Sequence, residues 1–485
     1  MKPDSKRIEE YAKSYRIVPI CKEIYSDVIT PISLLRRLRQ EGKRYFLLES
    51  VEGGETWGRY SFLGYNPIVR VTCKDNIVKV EGEQEKTVET NDPMQVLREI
   101  LKEYEAPKIP DLPPFTGGFV GYFSYSMMQY AEPSLNFLSS DFYDFEVMLF
   151  DKVIAFDHLQ QKINIVVNMK TDQVLANYGK AVEQIDRIVQ MIHNQSPLPV
   201  EKVESNPKFT CNVTKEAYVN SVLKAKEYIK DGDIFQVVPS RVFASPYKDD
   251  LIHAYRVLRT TNPSPYMVYM QTDDVQLMCS SPETLVKRKD QRLSTFPVAG
   301  SRPRGKDSKE DENLVNELKS DEKELAEHNM LVDLARNDIG KIAKFNSVEV
   351  TDYMMIHKYS KIMHLASTVE GDIKDGCDSF DAIEAILPAG TLSGAPKIRA
   401  CEIIEELENT ARGIYGGAIG YIDFTGNMDV CIAIRMAVKK NETVYVQAGG
   451  GVVADSIPEN EYEESFNKAK AVMQAIERAG EVEER

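Results

Sequence analysis

Cysteine is sparse in this chain of 485 residues. Seven are scattered through it (Cys21, Cys73, Cys211, Cys279, Cys377, Cys401 and Cys431), with no CxxC pair and no zinc spacing. That pattern excludes a disulfide framework and suits reduced thiols in the cytoplasm. Positive charge is also in deficit, 60 Lys and Arg against 75 Asp and Glu, a formal net charge of −15. Such a surface repels phosphate backbones and anionic headgroups, so neither nucleic acid nor membrane is an expected partner. No apolar run approaches the roughly 20 residues of a membrane span. The start, MKPDSKRIEEYAKSYR, lacks the apolar core of a secretion signal. Without such a signal, the N-x-[ST] triplets at Asn194, Asn212 and Asn441 are chance matches. The glycine clusters have neither Walker nor dinucleotide spacing, and no GxSxG elbow or internal repeat is present.

The chain is 42% hydrophobic and long enough to bury a sizeable core without staples. Residues 1–195 alternate helical and strand-like runs: a helix near 32–40, strands at 44–48, 68–72 and 152–156, and a helix across 172–193. Residues 196–207, rich in proline and charge, read as a linker. The second part, 208–485, opens with a helix over 215–230 that stops at Asp231-Gly232. A strand over 234–243 follows, in which Pro239 is unusual. A long helical stretch spans 308–343, and a last helix is opened by Pro458. Hairpins alternating with helices predict an α+β fold with antiparallel sheets rather than a doubly wound parallel one.

Glu324 and Glu327 stand three apart on the long helix, and Glu461 and Glu464 repeat that spacing on the last one. Each pair shares a helix face. Two converging pairs of carboxylates could hold Mg²⁺, which takes hard oxygen ligands, although either pair alone equally describes a solvated face. Residues 388–397, PAGTLSGAPK, and the run Gly449-Gly450-Gly451 could present backbone N–H groups to an anion, or be tight turns. Arg435 lies inside the apolar run VCIAIRMA and needs a carboxylate, from protein or substrate, because an unpaired buried charge is costly. His364 sits in a similar run, where a structural role is the commoner one.

Taken in order, these segments resemble the chorismate-utilising enzymes, the family of the anthranilate, aminodeoxychorismate, isochorismate and salicylate synthases. The matching stretches are GDIFQ (232–236), SSPE (280–283), PVAGSRPRG (297–305), 324–338, 388–397, 415–421 and 456–468. LLES (47–50) and WGRYSF (57–62) extend the match into the first part, so it covers nearly the whole chain. The resemblance implies a β-sandwich-like core with helices packed outside. It implies Mg²⁺ held by Glu327 and Glu464, with Glu324 and Glu461 reached through water. Gly300, Ser301, Lys397, Tyr415, Arg435, Gly449, Gly450 and Gly451 would bind chorismate, with Glu283 as acid, His364 as base and Thr391 beside the ring.

Two positions separate the sister activities. Water-adding members carry a lysine where this chain has Gln236, and aminodeoxychorismate synthases commonly carry one where it has Ala299. A neutral amide cannot act as that base, nor a methyl group as a nucleophile. What remains is ammonia added at C2, the pattern of the anthranilate-forming branch. An aminodeoxychorismate synthase lacking its lysine, or a non-catalytic regulator binding chorismate or tryptophan, are the alternatives. No cysteine stands in a Gly-x-Cys-x-Gly context, so a separate glutamine amidotransferase subunit is the expected source of ammonia. The resemblance also implies feedback inhibition by L-tryptophan, bound by Glu49, Ser50, Asn262, Pro265, Tyr266 and Met267. Ser301 stands where the family often has threonine, and Gly450 where it often has alanine.

Overall fold

Strand residues here are apolar on both faces, which a sheet needs only when it is covered on both sides. In Tyr45–Glu49, Tyr45 and Leu47 belong to one buried cluster and Phe46 and Leu48 to another. In Phe145–Phe150, Phe145, Val147 and Leu149 point one way and Met148 and Phe150 the other. The computed structural model describes residues 1–50, 58–194, 196–199, 201–358 and 362–482. It resolves these alternations into four layers: helices, a sheet, a second sheet, and helices again.

The first sheet runs Ile17–Tyr25, Lys162–Lys170, Lys152–Asp157, Tyr60–Tyr65, Tyr45–Glu49, Tyr266–Gln271, Gln276–Ser281, Met436–Lys440, Thr443–Gly449, Ser240–Pro246 and Thr210–Cys211. The second runs from Val298–Pro303 through Ile362–Asp372, Arg292–Thr295, Thr284–Lys289, Met428–Ile432, Ala418–Asp423, Gly118–Phe123 and Phe145–Phe150 to Val69–Lys74, Ile77–Glu81 and Lys86–Glu89. Side chains from both sheets, among them Phe46, Phe62, Val120, Met148, Val268 and Cys431, interdigitate between them. Helices Pro31–Glu41, Val174–His193, Ile252–Thr261 and Pro458–Glu477 cover the outer face of the first sheet. Helices Pro93–Lys102, Glu322–Ile342 and Ser379–Ile386 cover the second. The α+β class with antiparallel sheets is the one expected.

Both sheets draw strands from either side of residues 196–207. Glu49 pairs with Met267, and Phe123 pairs with Ala418. Helix Lys215–Asp231 ends at Gly232, whose φ of 86° lets its N–H cap the helix carbonyls. The strand expected over 234–243 is broken. Gln236–Val237 pairs with Gly394–Ala395, whereas Ser240–Pro246 pairs with Thr443–Gly449. Pro239 stands at the break, where its missing N–H cannot join a ladder. The stretch 308–343 is likewise two helices, Ser308–Ser320 and Glu322–Ile342. Asp321 ends the first and caps the second by accepting from the N–H groups of Lys323 and Glu324. Trp57, in the matched stretch 57–62, lies outside the described residues. Among the described residues no helix is long and apolar enough to cross a membrane.

Candidate functional site

Glu324 and Glu461 occupy the first turns of helices Glu322–Ile342 and Pro458–Glu477, with Glu327 and Glu464 about one turn further along the same faces. Helix N-termini favour negative charge. Burial opposes it: Glu327 is pushed above the usual carboxylate range by desolvation, then by the Glu324 charge and, from the other helix, the Glu464 charge. Desolvation raises Glu461 too, with Glu464 adding to it. Glu461 accepts from Ser456 Oγ at 2.7 Å on one oxygen, while its Oε2 is buried with no partner among the described residues. Gly450 lies against that oxygen, a Cβ there standing 2.8 Å from it. Lys468 pairs with Glu464 at 2.7 Å, and Arg302 reaches Glu324 at 3.4 Å. Among the described residues no group of three or more His, Cys, Asp or Glu side chains is drawn together as a ready metal cage. The orphaned oxygen and the mutual repulsion nevertheless fit a hard cation.

His364 enters through a β-bulge. The register of Val298–Pro303 against Ile362–Asp372 slips between Ala299 and Ser301, leaving Gly300 unpaired at φ +63°, while Ser301 pairs with His364. The bulge aims the Gly300 carbonyl at His364 Nδ1, 3.2 Å away. A carbonyl only accepts, so Nδ1 carries the proton there and Nε2 is the basic nitrogen. Gly300 also abuts helix Glu322–Ile342 and the helix before it, its would-be Cβ meeting Leu318 Cδ1 at 2.9 Å and Glu324 Oε2 at 3.1 Å. Glu283 receives a 3.0 Å hydrogen bond from Thr391 Oγ1. Desolvation outweighs that bond and pushes the Glu283 carboxyl up to about 7. A carboxyl poised there can carry and release a proton near neutrality.

Arg435 takes a positive φ of 51° and is largely desolvated, which lowers its pKa. Among the described residues no carboxylate pairs with it at salt-bridge distance; Tyr415 and Glu464 are its closest electrostatic neighbours. Tyr415, raised to about 12 by burial, takes a backbone hydrogen bond from Gly449. Gly451 sits against Gln236, whose Nε2 would be 2.7 Å from a Cβ there. The structure thus brings together Glu324, Glu327, Glu461, Glu464, Gly300, Ser301, His364, Tyr415, Arg435 and the glycine run. Lys397 is placed differently. Its three N–H donors go to both oxygens of Asp338, at 2.8 and 2.9 Å, and to Ile386 O at 2.8 Å, leaving none for a substrate anion. Asp338, Lys468 and Arg302 escaped the reading of the sequence. The Glu464–Lys468 pair was findable from its i,i+4 spacing; the other two depend on tertiary placement.

A separate cavity of about 1060 Å³ lies where strands from the two ends of the chain meet. Glu49, Ser50, Pro265, Tyr266 and Met267 line it. Asn262 stands behind, donating to Ser280 Oγ at 3.1 Å. Glu49 is held by Arg259, at 2.6 and 3.2 Å, and by Tyr255 Oη at 2.8 Å. Tyr266 Oη donates to Asp429 at 2.8 Å.

An α+β double sheet carrying this set of carboxylates, histidine and arginine defines a class, and comparison gives that class its name. The family profile of the chorismate-binding enzymes matches residues 44–474, and the chain belongs to that family. Its relatives include anthranilate synthase component 1 of Acetivibrio thermocellus, 46% identical over 99% of each chain. The protein of the same name from Aquifex aeolicus is 44% identical over 98% of each. Among solved structures, anthranilate synthase component I of Streptococcus pneumoniae superposes with a TM-score of 0.77 at 35% identity, over 93% of this chain and 98% of that one. The menaquinone-specific isochorismate synthase of Escherichia coli, 18% identical with a TM-score of 0.69 over 97% and 98%, shares the fold.

Proposed function

We propose that this chain is the chorismate-using component of an anthranilate synthase, converting chorismate and ammonia to anthranilate, pyruvate and water at the first step of tryptophan biosynthesis. The near-full-length similarity to proteins of that name carries the reading. Gln236 and Ala299 favour ammonia over its rivals as the nucleophile, since neither side chain can serve as the base or nucleophile of the sister reactions.

Arg435, Tyr415 and the backbone of Gly449, Gly450 and Gly451 would hold the enolpyruvyl carboxylate, the charge for which Arg435 has no protein partner among the described residues. Gly300, Ser301 and Thr391 would line the ring. Ammonia forms the C2–N bond, the ring double bond shifts, and Glu283 protonates the C4 hydroxyl as it leaves as water. His364 Nε2 then takes the C2 proton while the C3–O bond breaks, pyruvate departs and the ring becomes aromatic. Mg²⁺ bound by Glu327 and Glu464, with Glu324 and Glu461 behind, would neutralise the ring carboxylate and draw charge from the ring. The unpartnered Glu461 Oε2 supports that donor set. Ammonia would come from a glutamine amidotransferase partner subunit in the cytoplasm. Residues 1–195 would supply half of a tryptophan pocket at the cavity beside Glu49 and Tyr266, where ligand binding biases strands of both parts.

Purified chain supplied with chorismate, Mg²⁺ and ammonium is the test, with products identified by mass spectrometry. Anthranilate and pyruvate in equal amounts are expected. Accumulated aminodeoxychorismate or isochorismate would overturn the proposal, and no turnover would point to a binding regulator.

A further inference from the structure

Arg412 is buried, its side chain 1% exposed, and no step of the proposed reaction uses it. Its guanidinium makes four hydrogen bonds: Nε and Nη2 donate to Glu408, at 3.0 and 2.6 Å, Nη1 donates to Leu392 O at 2.6 Å, and Nη2 also reaches Val238 O at 2.5 Å. Its guanidinium carbon lies 4.6 Å from the Tyr125 ring centre and 5.8 Å from that of Tyr415. Glu408 in turn accepts from Ser240, from the backbone N–H at 2.7 Å and from Oγ at 3.0 Å.

Each contact ends one residue or so from the chemistry. Leu392 follows Thr391, the donor to Glu283. Val238 stands two residues from Gln236, which faces Gly451. Ser240 pairs with Gly449, and Gly449 hydrogen-bonds the Tyr415 hydroxyl. One planar cation therefore ties the 388–396 loop to residues 236–240 and lies beside the Tyr415 ring, while Glu408 and Ser240 carry the contact on to the end of Thr443–Gly449. A lysine would keep the charge beside Glu408 but could not reach both carbonyls and the carboxylate in that fixed fork.

We propose that Arg412 is a positioning residue of the chorismate site, setting the Thr391 loop and the Tyr415 ring at once through Leu392 O and its own stacked face. This rests on the chorismate reading above. The test compares R412K, T391V and the R412K/T391V double variant with wild type, in the ammonium assay and by thermal unfolding. R412K is expected to fold, to lose about 10²-fold in kcat/KM, and to raise KM for chorismate as well as lower kcat. A stability defect alone would reduce the active fraction and leave KM unaltered. The double variant is expected to lose much less than the product of the two single losses, because both act on one loop. If R412K does not fold, R412Q/E408Q removes both buried charges together, leaving neither unpaired, and should show the same raised KM. Folded R412K, or folded R412Q/E408Q, with kcat/KM within threefold of wild type overturns the proposal; so do fully multiplicative losses. If wild type makes no anthranilate, the functional reading fails instead. Arg412 is then judged by chorismate binding, which R412K must weaken at least tenfold or the proposal falls.

Discussion

Thr391→Val isolates one hydrogen bond at the proposed acid. Burial pushes Glu283 from the ordinary 4.5 up to about 7, and the Thr391 hydroxyl is the side-chain hydrogen bond that pulls it back. Bonds to charged groups contribute ~1.5–3 kcal/mol and neutral ones ~0.5–1.5, so the Thr391 bond favours the carboxylate over the acid by about 1 kcal/mol. Removing it should lift the Glu283 pKa by roughly one pH unit, at 1.36 kcal/mol per unit. Glu283 works protonated, so activity is present below its pKa and falls as the pH rises through it. The basic limb of kcat/KM for chorismate, which reports free enzyme, should therefore lie near 7 in wild type. In T391V it should move to higher pH, because the bond that favours the carboxylate is gone. Valine keeps the volume of threonine, so the fold should hold. The profile must be taken at fixed free ammonia, whose supply itself depends on pH. A basic limb that stays put or moves to lower pH in T391V would refute the argument, and so would E283Q retaining the limb.

Four other outcomes follow from the geometry. Glu464→Ala should abolish Mg²⁺-dependent turnover while leaving the fold intact, read as rate against added Mg²⁺; unaltered activity would remove Glu464 from the metal set. His364→Gln should cost about 10²–10⁴-fold in kcat, the usual worth of a positioned base, checked with ammonium as nitrogen source. Gly300→Ala forces a side chain onto φ +63° and against Leu318 and Glu324, so unfolding should show a loss of about 1–3 kcal/mol, together with a fall in kcat as the carbonyl that orients His364 moves. Glu49→Gln breaks the charge pairing with Arg259 and should raise the tryptophan concentration for half-inhibition by at least tenfold, measured by initial rates.

The layered fold was legible because its strands are short, patterned runs and its helices carry ordinary caps. Gly232 and Pro458 marked boundaries that the structure keeps. The two misjudged elements share a cause. Residues 234–243 and 308–343 are continuous in hydrophobic pattern, and each is cut by a single residue, Pro239 or Asp321, whose effect depends on which neighbour the next segment pairs with. In the site, the carboxylate pairs were visible as spacing, but the Glu464 charge acting on Glu327 is a property of how two distant helices pack. Lys397 shows the converse. Its loop matched the family pattern, yet its ammonium is consumed by Asp338, a partner 59 residues away that no local pattern announces. The Glu408–Arg412 pair was findable from its i,i+4 spacing, but the other targets of Arg412 are backbone carbonyls, and a carbonyl leaves no trace in the identity of a residue.

The interleaving of strands in both sheets has a consequence for synthesis. Tyr45–Glu49 and Tyr266–Gln271 are neighbours in the sheet, yet at 5–20 residues per second a ribosome needs roughly 10–45 s to make the chain between them. Throughout that interval one rim of the apolar strand Tyr45–Glu49 lacks its lasting neighbour, and such an open rim readily recruits another chain. The molecule cannot be finished from its front end, and neither half can be inherited, truncated or exchanged without reopening both sheets.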